Sequence, residues 1–236
     1  TFKKKLENQY RNLKCILTGG NKGYAVANNI GLKNVKTSYA LVLNPDTILD
    51  KNAIDNFLIT AKKNHNFWLI GPASDQMNDL KFEANKIVEV DNIKGFAIFL
   101  NLQMFKNEFF DENFFLYFEE TDYCKRAKKK GYKSYQINII KLKHNVGSSV
   151  EYKNEEEEKK YKNLQNWHFI WSKYYYYSKN YGSLLSIIYF IPVLIRTFVK
   201  IFYYQFVKNH NEVEKYKIRL DGLLSSISKK SANKRI

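Results

Sequence analysis

Apolar positions in this chain follow two regimes. Up to about residue 150 they form short runs divided by turn residues and by stretches with helical spacing. The runs are "KCIL" (14–17), "SYALVL" (38–43), "FWLIGP" (67–72), "KIVEV" (86–90), "GFAIFL" (95–100), "YKSYQI" (132–137) and "IIKLKH" (139–144). Each is short enough for a strand, and Tyr39 to Leu43 is apolar without alternation, the pattern of a parallel strand covered on both faces. Between the runs, Ile54, Phe57, Leu58 and Ala61 recur at helical spacing behind a capping Asp50. Further helices are predicted near Ala25, over Leu102–Phe105, and from Glu119 to a glycine stop at Gly131. "TFKKKLENQYRN" reads as the tail of an amphipathic helix. Strands alternating with helices make residues 1–150 an α/β domain.

Beyond residue 150 the pattern changes. A charged and then aromatic helix, "EYKNEEEEKKYKNLQNWHFIWSKYYYYSKNYG", precedes the apolar "SLLSIIYFIPVLIRTFVKIFYYQFVKN" and a basic amphipathic tail, so 151–236 reads as a helical region. Leu184 to Ile195 is an apolar run of about a dozen residues, broken by Pro192 and ended by Arg196. A membrane span needs about 20 residues. The run therefore suits a helix lying in a membrane interface with Arg196, Lys200 and Lys208 toward headgroups, or one packed on the domain.

Composition sharpens this in two ways. Among 236 residues the formal net charge is +16, which calls for anionic company: nucleic acid, an anionic membrane surface or phosphorylated ligands. Cys15 and Cys124 are far apart, fit neither a disulfide framework nor a zinc spacing, and suit a reducing cytoplasm. The 16% aromatic content, tyrosine above all, is compatible with a nucleic-acid binder. The tyrosines, however, cluster in "YYYY" (174–177) and in the apolar helix instead of alternating with lysine along a sheet.

Several segments offer chemistry. In "NPD" (44–46), Asp46 lies just beyond a predicted strand, where open α/β sheets bind ligands and a carboxylate can hold a divalent cation against a diphosphate. A plain Asn-Pro-Asp turn explains the same residues. "GGNKGYAVANN" places Gly19, Gly20 and Gly23 ahead of a helix, an arrangement that lets a backbone approach phosphate, although the spacing is neither a P-loop nor a dinucleotide fingerprint. "FFLYFEETDYCKR" (114–126) follows an aromatic run with Glu119, Glu120 and Asp122. Acids in the first turn and lysines in the last satisfy the helix dipole, and Asp122 with Arg126 forms an i,i+4 pair. An acidic first turn emerging from an apolar wall is also how a general base is held, because the wall raises carboxylate proton affinity. His144, at the end of the last strand run, is a candidate metal or diphosphate contact if Asp46 lies at a neighbouring strand end.

In this order, "NKGYAVANNIGL" (21–32), "LVLNPDTIL" (41–49), "IGP" (70–72), "KGFAIFL" (94–100), "FDENFFLYFEETDYCKRAKKKGY" (110–132) and "HNVGSS" (144–149) resemble the family 2 glycosyltransferases of the GT-A fold, in particular the rhamnosyltransferase-like branch. The resemblance implies a Rossmann-like mixed sheet flanked by helices, with a C-terminal helical appendage. Asp46 takes the place of the last acid of the family's metal-binding motif, with Asn44 where another acid often stands. Glu120 takes the place of the catalytic base, supported by Glu119, Asp122 and Arg126. Asn21, Gly23, Asn29 and Gly95 fall on the donor side, and His144 matches a histidine that joins the metal shell in some relatives.

The resemblance thus implies inverting transfer of a sugar, rhamnose in that branch, from a nucleotide-diphosphate sugar to a saccharide or lipid-linked acceptor in cell-surface polysaccharide synthesis. It also implies Mg²⁺ or Mn²⁺. The basic, aromatic C-terminal composition suits a cytoplasmic enzyme peripheral to the inner face of the plasma membrane, and without a recognised nucleic-acid motif no nucleic-acid partner is expected. Two departures stand out. The base is Glu where Asp is commoner. The family's first strand, helix and second strand, which bind nucleobase and ribose, have no counterpart ahead of "KCIL", so a chain truncated there is expected to bind donor poorly. A non-catalytic relative is the competing expectation.

Overall fold

The structure is a computed structural model that describes residues 2–72, 87–104, 108–140, 142–144, 151–232 and 234–235. Its elements are α1 (Phe2–Gln9), α2 (Tyr24–Leu32), β1 (Tyr39–Leu43), β2 (Thr47–Leu49), α3 (Ala53–Lys63), β3 (Phe67–Pro72), β4 (Ile87–Glu89) and β5 (Ala97–Asn101). They continue with α4 (Glu119–Lys129), β6 (Lys133–Ile137), β7 (Leu142–His144), α5 (Glu155–Tyr181), α6 (Ser183–Phe206) and α7 (His210–Ile227).

Five strands form a mixed sheet in the order β1-β5-β3-β6-β4. Only β3 and β6 run parallel; β1, β5 and β4 pair antiparallel with their neighbours. Strand alternation divides the core in two. Ile98 and Leu100 of β5 face one cluster with Ala25 of α2 and Tyr123 and Ala127 of α4. Ala97 and Phe99 face the other, with Phe57 and Ala61 of α3. A register shift between Phe67 and Leu69 places Trp68 and Leu69 in the same cluster. Helices therefore cover both faces of a mixed α/β sheet.

Four expectations are corrected. "KCIL" forms no strand; the Cys15 N–H is taken by the Glu7 carboxylate of α1 at 2.8 Å and not by a ladder. β1 is an edge strand and antiparallel to β5, not parallel; both of its faces are covered, Ala40 and Val42 joining one core cluster and Tyr39 and Leu41 the other, with Tyr39 stacked on Phe67 and Phe99. The cap of α3 is Asn52, and Asp50 contributes its carbonyl to the Ala53 N–H. Residues 102–104 make a turn and not a helix, because the Leu102 N–H extends the ladder to the Ser38 carbonyl; Phe105 lies outside the described residues.

The helical region closes on the aromatic run that precedes α4. Phe115 packs with Trp167 and Trp171 of α5, and the Ser172 hydroxyl donates to the Leu116 carbonyl at 2.8 Å. α6 continues through Pro192 for 24 residues, twice the run counted from the sequence. It packs on α5 and α7 through Phe190, which is enclosed with Tyr174 and Leu223. Among the described residues α6 alone is long and apolar enough to cross a membrane.

Candidate active site

β1 ends where β5 begins, since Leu43 pairs with Ala97. The Asn44-Pro45-Asp46 turn and the Lys94-Gly95-Phe96 segment are thereby brought to one end of the sheet. The Asn44 N–H donates to the Phe96 carbonyl at 2.9 Å, and the Thr47 hydroxyl reaches the same oxygen at 3.5 Å. Immediately after the turn, β2 pairs with β7, setting Thr47 opposite His144. The two strand ends that carry Asp46 and His144 are therefore neighbours.

α2 and α4 complete the arrangement. The Tyr24 hydroxyl donates to the Gly95 carbonyl at 2.5 Å, and the Tyr24 N–H donates to Phe115 at 2.8 Å. A Cβ on Gly95 would stand 3.6 Å from the Tyr24 hydroxyl and 3.8 Å from the Glu120 carboxyl carbon. Gly95, Tyr24 and Glu120 thus share one spot, and a side chain larger than methyl at position 95 would enter it. Gly23, with φ at +80°, is glycine for a packing reason as well: a Cβ there would fall on the Phe115 carbonyl and ring.

The two glutamates differ. Glu119 is 3% exposed, and its Oε2 has no hydrogen-bond partner among the described residues. Burial, followed by the neighbouring Glu120 charge, pushes the Glu119 carboxyl up to about 8. Glu120 is half-buried; burial raises its proton affinity too, against opposition from helix-terminal N–H groups and the Lys94 ammonium. The Tyr24 phenol is held well above its ordinary value by burial and then by Glu119 and Glu120, so it remains a donor at neutral pH.

Backbone strain lies directly upstream. Tyr117 and Phe118 both have positive φ, 71° and 69°. Bulky side chains rarely occupy this region, at a cost of order 1–3 kcal/mol each. α5 holds them in place: Phe169 packs on both rings at 5.6 and 5.7 Å, and Tyr176 packs on Phe118 at 5.6 Å. Burial, then Tyr161 of α5 and Glu119, raise the Tyr117 phenol to about 12. Tyr161 is in turn raised by burial, by Tyr152 and by Asp46, which places α5 within electrostatic reach of both acidic segments.

The remaining sequence candidates have other surroundings. Asp122 is fully buried and binds Arg126 Nε at 2.9 Å and Lys179 Nζ at 2.8 Å, so it ties α4 to α5. Lys179 also reaches Asp111 at 2.7 Å, which accepts from the Tyr175 hydroxyl at 3.0 Å. The Asn29 amide is committed to Phe110 and Glu112, bonding both the N–H and the carbonyl of Phe110. The Asn21 side chain accepts from the Gly23 N–H and shapes the turn into α2. Sequence reasoning missed Tyr24, Lys94, Tyr117, Tyr161 and Lys179, which no spacing connects to the acids. The strained pair did have a signal, in the aromatics placed directly before the first helical acid. A cavity of about 640 Å³ lies elsewhere, between α5 and the tail, lined by Phe115, Trp171, Tyr175, Lys230 and Arg235 among others.

Glu120, half-buried beside Gly95, has the carboxylate chemistry that general-base work requires. Its ligand set for a divalent ion is partial: among the described residues no group of three or more His, Cys, Asp or Glu is placed to hold a metal by itself. Asp46, next to the His144 backbone, fits an ion whose other ligands are substrate phosphate and water, the usual habit of Mg²⁺.

The chain is 25% identical over 157 residues to the low-salt glycan biosynthesis hexosyltransferase Agl10 of Haloferax volcanii, covering 55% of this chain and 51% of that protein. It thus spans about half the length of that relative. The profile of glycosyl transferase family 2 matches residues 2–128, more than half of the chain and all of the segment from α1 to the acidic turn of α4. The chain belongs to glycosyl transferase family 2.

Proposed function

We propose that the protein transfers a hexosyl unit, with inversion, from a nucleotide-diphosphate sugar to a hydroxyl on a saccharide or lipid-linked saccharide, with Glu120 as general base. The observation that carries this reading is the position of Glu120: half-buried at the start of α4, beside Gly95, at the sheet end that also carries Asp46. Glu120 takes the acceptor proton while the acceptor oxygen bonds to the anomeric carbon. The bond from that carbon to the diphosphate oxygen breaks on the opposite face, and the nucleoside diphosphate leaves. Partial burial keeps the carboxylate basic enough for the transfer, and Lys94 keeps it from being protonated too readily. Tyr24 fixes the Gly95 carbonyl and so the floor on which the acceptor rests.

Asp46 and His144 would hold a divalent cation, which when bound supplies positive charge beside the diphosphate. Rhamnose, a deoxyhexose, is the donor sugar that the sequence resemblance favours, within synthesis of a cell-surface polysaccharide by an enzyme peripheral to the inner membrane face. The test is turnover by the full-length protein of a panel of nucleotide-diphosphate sugars, dTDP-rhamnose included, with Mg²⁺ or Mn²⁺. One donor should be consumed, and Asp46→Asn should abolish its consumption. Absence of both turnover and nucleotide-diphosphate binding across the panel would contradict the reading.

A further inference from the structure

We propose that α6 docks the protein on an anionic lipid surface, lying in the plane of the interface and not crossing it. One face of α6 is packed: Phe190, Ser186 and Thr197 are buried against the neighbouring helices. The opposite face carries Leu184, Ile188, Ile191, Ile195, Phe202 and Phe206, spaced at helical intervals and each 45–82% exposed. A 24-residue helix is about 36 Å long, and a continuous apolar stripe of that length exceeds what a monomeric surface ordinarily leaves in water.

The packing decides between lying and crossing. α7 runs back along α6, with Leu223 near Phe190 and Tyr216 stacked on Tyr204 at 5.7 Å. α7 carries Glu212, Glu214, Lys215, Lys217, Arg219 and Asp221. Were α6 to cross the hydrocarbon in this packing, those charges would be drawn in beside it, each at a cost of about 2.5 kcal/mol or more for Asp, Lys and Arg at mid-bilayer. With α6 in the plane, they stay in water.

Charge selects the occupant. From Lys159 through Asn211 the chain has no Asp or Glu, while Arg196 and Lys200 lie to the side of the stripe toward α7, Lys200 over the Tyr204 and Tyr216 rings, and Lys208 follows just beyond the helix. Arg196 also lies within electrostatic reach of Lys200 and Arg219, forming a cationic flank. Two copies meeting through α6 would bring these cations together with no carboxylate from this stretch to neutralise them. Anionic headgroups supply that charge, and Tyr181, Tyr189 and Tyr203, all exposed, suit the boundary between headgroup and chain.

The test uses the full chain and vesicles, without nucleotide or sugar, so its outcome is separate from that of the transfer reaction. Flotation with phosphatidylcholine vesicles, with and without phosphatidylglycerol, should show binding that needs the anionic lipid and weakens with salt. Ile195→Asp with Phe202→Asp, both at exposed positions, should weaken binding at least about tenfold with the circular dichroism unchanged. Arg196→Gln with Lys200→Gln should remove the anionic preference. A fluorophore placed through Ile188→Cys, Ile195→Cys or Phe202→Cys in a Cys15→Ser background should report the same shallow depth by nitroxide-lipid quenching. Greatest depth at position 195 would mean crossing and overturn the proposal. So would failure to bind vesicles, or a lipid-free dimer dissolved by the aspartates while vesicle binding persists.

Discussion

Glu119 and Glu120 are adjacent in the chain, yet one is buried and the other is half-buried beside Gly95. Glu119 holds its proton to about 8, against an ordinary 4.5, because its carboxyl is buried and faces a second acid. The folded form therefore binds the proton more tightly than the unfolded form does. Its contribution to stability is fully present below about 4.5 and is lost as pH rises toward about 8. Glu119→Gln, which keeps the shape without the charge, should raise the melting temperature at pH 8 and change it little at pH 5. Parallel Tm–pH curves for parent and variant would contradict this. The sequence made the acidic triplet conspicuous because three carboxylates follow an apolar run. It could not show that Glu119 is buried, nor that Tyr24 and Lys94 lie within electrostatic reach of Glu120. Those residues are far apart in the chain and are brought near one another by the pairing of β1 with β5 and the packing of α2.

At the scale of elements, two glycines with nearly the same backbone separate strain from packing. Gly131 ends α4 at φ +81° with open space where a Cβ would go, whereas Gly23 opens α2 at φ +80° directly on Phe115. Gly131→Ala should cost about 1–2 kcal/mol, the left-handed penalty alone. Gly23→Ala should cost clearly more, because it also forces Phe115 and the strained turn into α4 to move. Equal shifts in urea midpoint would show that the α2 contact does not position α4. The strands at 67–72, 97–101 and 133–137 and the helix at 119–129 were legible because long apolar runs or helical spacing were bounded by turn residues. "KCIL" misled because the backbone of three apolar residues can be satisfied by a side chain, here Glu7, as well as by a ladder. Residues 102–104 misled because backbone pairing overrode the helical look of the segment. The clamp of α5 on Tyr117 and Phe118 left only an unspecific trace, an aromatic-rich helix whose partner was not evident.

Over the whole molecule, charge and shape divide the work. The α/β part presents Asp46, Glu120 and Gly95 at one sheet end, while the helical region braces α4 through Lys179 and Asp122 and offers an apolar stripe flanked by cations. The composition announced an anionic partner and the apolar run announced an interface. Counting residues to Arg196 gave too short a helix, since Arg196 and Lys200 lie to the side of the stripe and do not end it. The bracing explains how the acidic first turn of α4 can follow two strained residues: the aromatic contacts of α5 offset the backbone cost and fix the helix start. The most direct test of this account is the turnover number for sugar transfer by Glu120→Gln, with donor binding measured alongside by calorimetry. The expected result is a loss of about 10²–10⁴-fold in kcat with donor affinity unchanged. A kcat close to that of the parent would contradict it and return the acids of "FEETD" to the single task of starting a helix.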